Sequence, residues 1–166
     1  YLFREREPGL NVHRHLVEGY GLDPAQIAAL KRGEDTTLVD GMPLTAAEAT
    51  YRPYEARSYA FCSDTTASGK VVSLVRGVDL LYHEATYLHA DRALAVKTGH
   101  STARQAARVA ARAGVRHLVL GHYSARYREL GPMLEEAQSE FPASVLGGDG
   151  LVLTLEKDHS LKIEQI

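Results

Sequence analysis

Residues 78–86, Val78-Asp79-Leu80-Leu81-Tyr82-His83-Glu84-Ala85-Thr86, pass from a continuous apolar run of strand length into a polar cluster. An apolar run of this kind is a buried strand, and the residues on either side repeat the pattern. Upstream, Ser58-Tyr59-Ala60-Phe61-Cys62 reads as a strand that ends at Ser63-Asp64-Thr65-Thr66. Downstream, Thr102-Ala103-Arg104-Gln105 is a capping box opening an Ala-rich helix that stops at Gly114. Its positions Ala103, Ala106, Ala107, Ala110 and Ala113 fall on one face. Val115 to Gly121 is the next strand, ending at His122. Pro132 to Phe141 is a helix closed by Pro142, and Ala143 to Ile166 supplies the last strands. Buried strands alternating with helices specify a sheet covered by helices, an α/β fold.

Polar residues recur at one place in three of these units. Asp64, His83-Glu84 and His122 each follow the C-terminal end of a strand. In layered α/β folds that edge is where side chains from different strands converge on a ligand. Aspartate with histidine is a donor set for zinc or manganese, through carboxylate oxygen and neutral imidazole. Any one such residue could be structural; the shared position is what points to a site. Gly99-His100-Ser101-Thr102 adds a histidine beside a helix N-terminus. It reads either as a local hydrogen-bond partner or as a proton donor next to a phosphate held on free helix N–H groups.

The region from Pro8 to about Pro53 has a different character, with few large apolar residues, and is expected to project from the core. Asp23-Pro24-Ala25-Gln26 starts a short helix through Ile27 and Leu30 that Gly33 stops. Glu34 to Val39 is a short strand running into the Asp40-Gly41 turn. The 166 residues suffice for one domain, and 45% apolar with 24% charged residues is ordinary globular composition, which excludes disorder as the default. A formal net charge of −2 argues against nucleic-acid binding over the whole surface and leaves room for a local basic patch. The single cysteine, Cys62, allows no intrachain disulfide and favours an intracellular protein. No apolar run approaches the roughly 18 residues that span a bilayer. Tyr1 to Glu7 alternates like a strand entered in mid-domain, from which upstream sequence is expected.

Four stretches, in order, carry a family resemblance: Tyr59-Ala60-Phe61-Cys62-Ser63-Asp64-Thr65, His83-Glu84-Ala85-Thr86-Tyr87, Gly99-His100-Ser101-Thr102 followed by Gln105-Ala106-Ala107, and His122-Tyr123-Ser124-Ala125-Arg126-Tyr127. Together they resemble ribonuclease Z, the tRNA 3′-processing endoribonuclease of the metallo-β-lactamase superfamily, and the similarity runs from Tyr1 to about Leu155. The resemblance implies the C-terminal half of a metallo-β-lactamase αββα sandwich over residues 1–166, with residues 8–53 as a projecting tRNA-binding arm near the N-terminus. It implies a two-zinc site in which Asp64 bridges the metals and His122 binds the second. It makes Glu84 and His100 the catalytic pair that protonates the leaving ribose oxygen, leaving a free 3′-hydroxyl. Precursor tRNA, a cytoplasmic setting and a homodimer follow from the same resemblance.

The family's H-x-H-x-D-H ligand motif is absent from this chain, so the chain alone is expected not to assemble the two-metal centre. His13-Arg14-His15 offers H-x-H, but Val17 and Glu18 stand where Asp and His are required. Ser101, Thr102 and Arg126 are candidate phosphate-facing residues, and Lys31 and Arg32 candidate tRNA contacts that a solvated helix end explains equally well. Arg104, Arg108 and Arg112 at helical spacing form either a basic stripe or a solvated face. Two competing readings are a fold relative that hydrolyses a thioester, lactam or sulfate ester, and an inactive fragment or α/β module that only binds a partner.

Overall fold

A computed structural model describes residues 1–166, and the chain divides into two compact units, Arg6–Ala56 and Tyr1–Glu5 with Arg57–Ile166. The second begins with β1 (Leu2–Arg4). The Arg6–Ala56 unit follows with β2 (Asn11–Val12), α1 (Arg14–Tyr20), α2 (Pro24–Lys31), β3 (Thr36–Thr37), β4 (Pro43–Leu44), α3 (Ala46–Ala49) and β5 (Thr50–Tyr51). The Asp23 capping box forms: its carboxylate accepts from the Gln26 N–H at 2.8 Å while Gln26 accepts from the Asp23 N–H at 2.9 Å. Leu22, Leu30, Leu38, Leu44, Ala46 and Ala49 form a small core of its own. The sequence pattern misses α1, because none of its residues is fully buried and the side chain of its cap residue, His13, accepts no backbone N–H.

The larger unit continues with β6 (Ser58–Cys62), α4 (Gly69–Leu74), β7 (Leu80–Glu84), α5 (Arg92–Thr98), α6 (Ala103–Ala113), β8 (His117–Gly121), α7 (Gly131–Gln138), β9 (Ser144–Leu146), β10 (Leu151–Leu155) and β11 (Leu161–Gln165). Five strands form one sheet in the order β1-β6-β7-β8-β9, with β1 antiparallel to β6 and the others parallel. A parallel sheet needs crossovers, and those crossovers are the helices that cover it. The register puts Ala60, Leu81 and Leu118 in one row. They belong to the core that also contains Val72 of α4 and the alanines of α6. All five alanines read as one face of α6 are buried, and their small side chains let the helix lie close to the sheet. The opposite face carries aromatic pairs: Phe3 stacks on Tyr59 at 5.9 Å and Phe61 on Tyr82 at 4.6 Å between centroids. A separate two-stranded sheet, β10-β11, completes the unit.

At the edge of the sheet away from the C-terminal strand ends, Asp79 gathers several elements. Its carboxylate accepts from the Ser58 N–H and hydroxyl, both at 2.7 Å, and from the Arg116 Nε–H at 3.0 Å. His159, in the β10-β11 turn, sits with Nδ1 2.6 Å away. Burial alone would raise the Asp79 pKa, but the bonds from Ser58 and His159 outweigh it and hold the value below the ordinary carboxylate range. A depressed folded-state pKa means that the unfolded chain takes up this proton first as pH falls, so the stability contributed above about pH 4 is lost below it. Asp79→Asn is therefore expected to lower the urea midpoint at pH 6 and to cost less at pH 3. A gap between variant and wild type that is as wide at pH 3 as at pH 6 contradicts this.

Candidate metal centre

Because β6, β7 and β8 run parallel, their C-terminal ends lie side by side, and the residues just beyond them meet. Asp64 lies in the loop after β6, Glu84 is the last residue of β7, and His122 follows β8. His100 and Ser101 lie between α5 and α6, and Thr102 caps α6. Asp64 and His122 both have left-handed backbones, with φ of 46° and 58°. Asp and His tolerate that region better than most residues, and such turns concentrate at functional sites.

The structure brings Asp64, His100 and His122 together, each offering a donor atom, all within 4.8 Å of one another. His122 Nε2 is 2.9 Å from Asp64 Oδ1, and the His100 and His122 rings stack at 5.2 Å. Imidazole and carboxylate are donor types zinc takes, so Asp64 and His122 fit a zinc ion, with His100 beside them. Asp64 and His122 are exposed, and His100 is half-buried.

Glu84 lies beneath them, fully buried. Its Oε1 accepts from the backbone N–H of Thr65 at 3.0 Å and of Ser101 at 3.1 Å, and from His100 Nδ1 at 2.9 Å. Its Oε2 accepts from the Thr86 N–H at 3.1 Å and the Thr86 hydroxyl at 2.7 Å. A buried carboxylate is tolerated only with such a set of donors. With His100 Nδ1 committed to Glu84, Nε2 is the nitrogen able to exchange a proton with a ligand.

Other expectations meet a different arrangement. His83 belongs with Glu84 in the sequence but not in space. Alternation along β7 turns it away, completely buried, with Nδ1 2.7 Å from the Glu84 carbonyl, and burial pushes its pKa down. Ser101 and Thr102, read as phosphate-facing, are also fully buried. The Ser101 hydroxyl donates to the Thr65 carbonyl at 2.6 Å, and Thr102 Oγ1 accepts from the Gln105 N–H at 3.2 Å. The α6 N–H groups read as free are engaged: Thr102 N–H donates to Gln105 Oε1 at 2.9 Å and Ala103 N–H to the Tyr87 carbonyl at 2.9 Å. Arg126 does approach the site, with its guanidinium 5.2 Å from the centroid of the Tyr87 ring, whose edge faces His100 at 6.2 Å. Lys31 and Arg32 lie in the Arg6–Ala56 unit, where Arg32 is tied bidentately to Glu34 at 2.7 and 2.9 Å. Of the basic stripe, Arg108 pairs with Glu140 at 2.8 Å.

Thr86 is the residue that sequence reasoning passes over. Its hydroxyl touches Glu84, lies 2.9 Å from His122 Nδ1 and 3.3 Å from His100 Nδ1. The available signal is its place two residues after Glu84, on the same side of an extended chain.

Known proteins resemble this chain in both sequence and fold. Residues 50–123 match a family described as the Beta-lactamase superfamily domain. A Ribonuclease Z of Parabacteroides distasonis is 40% identical over 155 residues, covering 93% of this chain and 51% of its own length. A Ribonuclease Z of Brevibacillus brevis is 40% identical over 163 residues, covering 95% of this chain and 51% of its own. The chain thus spans about half the length of the curated relatives it matches. A solved metallo-β-lactamase-fold protein of Bacillus subtilis superimposes with a TM-score of 0.50 at 21% identity, over 54% of this chain and 36% of its own, a likeness of fold.

Replacing Glu84 by Gln is expected to destabilise the chain by about 2 kcal/mol or more, because the amide must point a donor at an existing donor in the buried cluster. Urea unfolding measures it. A loss under about 0.5 kcal/mol, the range of surface substitutions, contradicts the anchoring role.

Proposed function

We propose that this chain, similar over most of its length to ribonucleases Z, carries the leaving-group side of a metal-dependent endoribonuclease that removes 3′ extensions from precursor tRNA. The observation that carries this reading is the pairing of His100 with buried Glu84 beside the Asp64–His122 contact. Thioester hydrolysis makes less use of that pair, since a thiolate leaves without a proton whereas a phosphodiester expels a ribose alkoxide that a positioned acid protonates.

Asp64 and His122 would hold zinc, in a two-zinc site on the strength of the resemblance. Bound there, zinc supplies Lewis acidity and a hydroxide near neutral pH. The remaining work falls to this chain's own side chains. Glu84 orients His100 through Nδ1, and His100 gives a proton from Nε2 to the departing ribose oxygen, leaving a 3′-hydroxyl. Arg126, held over Tyr87, neutralises a nearby phosphate.

The Arg6–Ala56 unit would serve as the tRNA arm of residues 8–53. It has five basic residues (Arg6, Arg14, Lys31, Arg32, Arg52) against eight acidic ones (Glu7, Glu18, Asp23, Glu34, Asp35, Asp40, Glu48, Glu55), net −3. Bulk attraction for phosphate is therefore weak there, and Lys31, which makes no ion pair, is a better contact than Arg32. A homodimer in which one subunit's arm grips tRNA bound at the other's site rests on the resemblance. The lone Cys62 suits a reducing, cytoplasmic setting.

In a polypeptide that joins this chain to an H-x-H-x-D-H half, His100→Ala is expected to retain zinc and to slow cleavage of a 3′-extended tRNA by about 10²–10⁴-fold, the usual worth of a general acid. Unchanged cleavage, or loss of zinc with the activity, removes His100 from the acid role.

A further inference from the structure

Thr86 reaches three polar side chains of the site with one hydroxyl, and the direction of each bond can be worked out. A hydroxyl has a single proton to donate. At 2.7 Å from Oε2 of a carboxylate whose other partners are all donors, that proton goes to Glu84. The Thr86 oxygen can then only accept from the other two groups. His100 Nδ1 has a better acceptor in Glu84 Oε1, at 2.9 Å against 3.3 Å to Thr86. His122 Nδ1 is 2.9 Å from Thr86 Oγ1, and no second acceptor is bonded to that nitrogen. The proton on this contact must therefore be on His122 Nδ1.

We infer that Thr86 is the positioning residue of the metal centre: its hydroxyl, oriented by Glu84, accepts the Nδ1–H of His122 and leaves the Nε2 lone pair free for an ion shared with Asp64. The inference rests on the reading of Asp64 and His122 as metal ligands. It extends that reading by making Glu84 serve both histidines, one directly and one through Thr86. Metal-binding imidazoles generally donate their second N–H to such a partner, which fixes ring orientation and tautomer. Thr86 is 6% exposed, so water does not readily replace its hydroxyl.

Two measurements on the 166-residue chain test this. The first needs no metal: long-range ¹H–¹⁵N correlation spectra of the histidine rings, with His122 assigned by substitution. The wild-type chain and Thr86→Ser are expected to show His122 Nδ1 protonated and its proton protected from exchange, and Thr86→Val to lose that protection. A pyridine-like, unprotonated Nδ1 in the wild-type chain overturns the inference, whether or not the valine variant folds. The second titrates the same three proteins with zinc alone. Thr86→Val is expected to bind about 10–100-fold more weakly and Thr86→Ser within a few-fold of wild type. Equal affinities across the three overturn the inference while leaving the metal reading intact. Absence of zinc binding by the wild-type chain instead overturns the reading that Asp64 and His122 suffice to hold an ion by themselves, and the ring spectra still decide whether Thr86 accepts from His122.

Discussion

The burial of one carboxylate, Glu84, is the constraint on which the site depends. Removed from water at the end of a central strand, it must collect donors, and it does so from the β6 loop through Thr65, from the segment before α6 through His100 and Ser101, and from Thr86 in the chain just beyond it. Each of those segments carries or adjoins a residue of the candidate metal centre. A side chain that must be satisfied thus gathers three loops into one geometry, and none of the three could shift alone without leaving a buried acceptor unpaired.

The exposed layer above it has the opposite physics. Asp64 and His122 sit on left-handed turns at strand ends, open to solvent and close to each other. Backbone turns of that kind are tolerated where surrounding bonds over-determine them, and the Glu84 network below supplies part of that determination. Rigid support under exposed ligands is how a site is kept ready for a metal ion. At the other edge of the sheet, Asp79 plays a comparable part for the β10-β11 turn, joining Ser58, Arg116 and His159 with no ligand in view.

Much of this was legible in the residues. The apolar run 78–82, whose strand the structure sets at Leu80–Glu84, and the alanine face of α6 follow from periodicity, and the convergence of Asp64, Glu84 and His122 follows from their shared place at the ends of parallel strands. Less legible was which neighbour faces where. His83 and Glu84 look equivalent as letters, yet strand alternation buries one among the helices and gives the other to the site. Ser101 and Thr102 look like phosphate ligands until their hydroxyls and N–H groups are seen to be used by Thr65, Gln105 and Tyr87. Thr86 carries no charge and no reactive group, so its place two residues after Glu84 is a faint signal that its distances make plain. The short helices α1, α4 and α5 are likewise invisible to periodicity, since fewer than two and a half turns leave little stripe to detect.

Because the chain matches about half of each curated relative, the central claim concerns what its own half of a centre can hold: that Asp64 and His122 bind zinc together above the Glu84 network. Anomalous diffraction at the zinc edge, from crystals of the zinc-soaked chain, tests it most directly. The account predicts a peak at coordination distance from both Asp64 and His122, with Glu84 still bonded to His100. No peak there, or a peak at other histidines such as His13 and His15 instead, contradicts it.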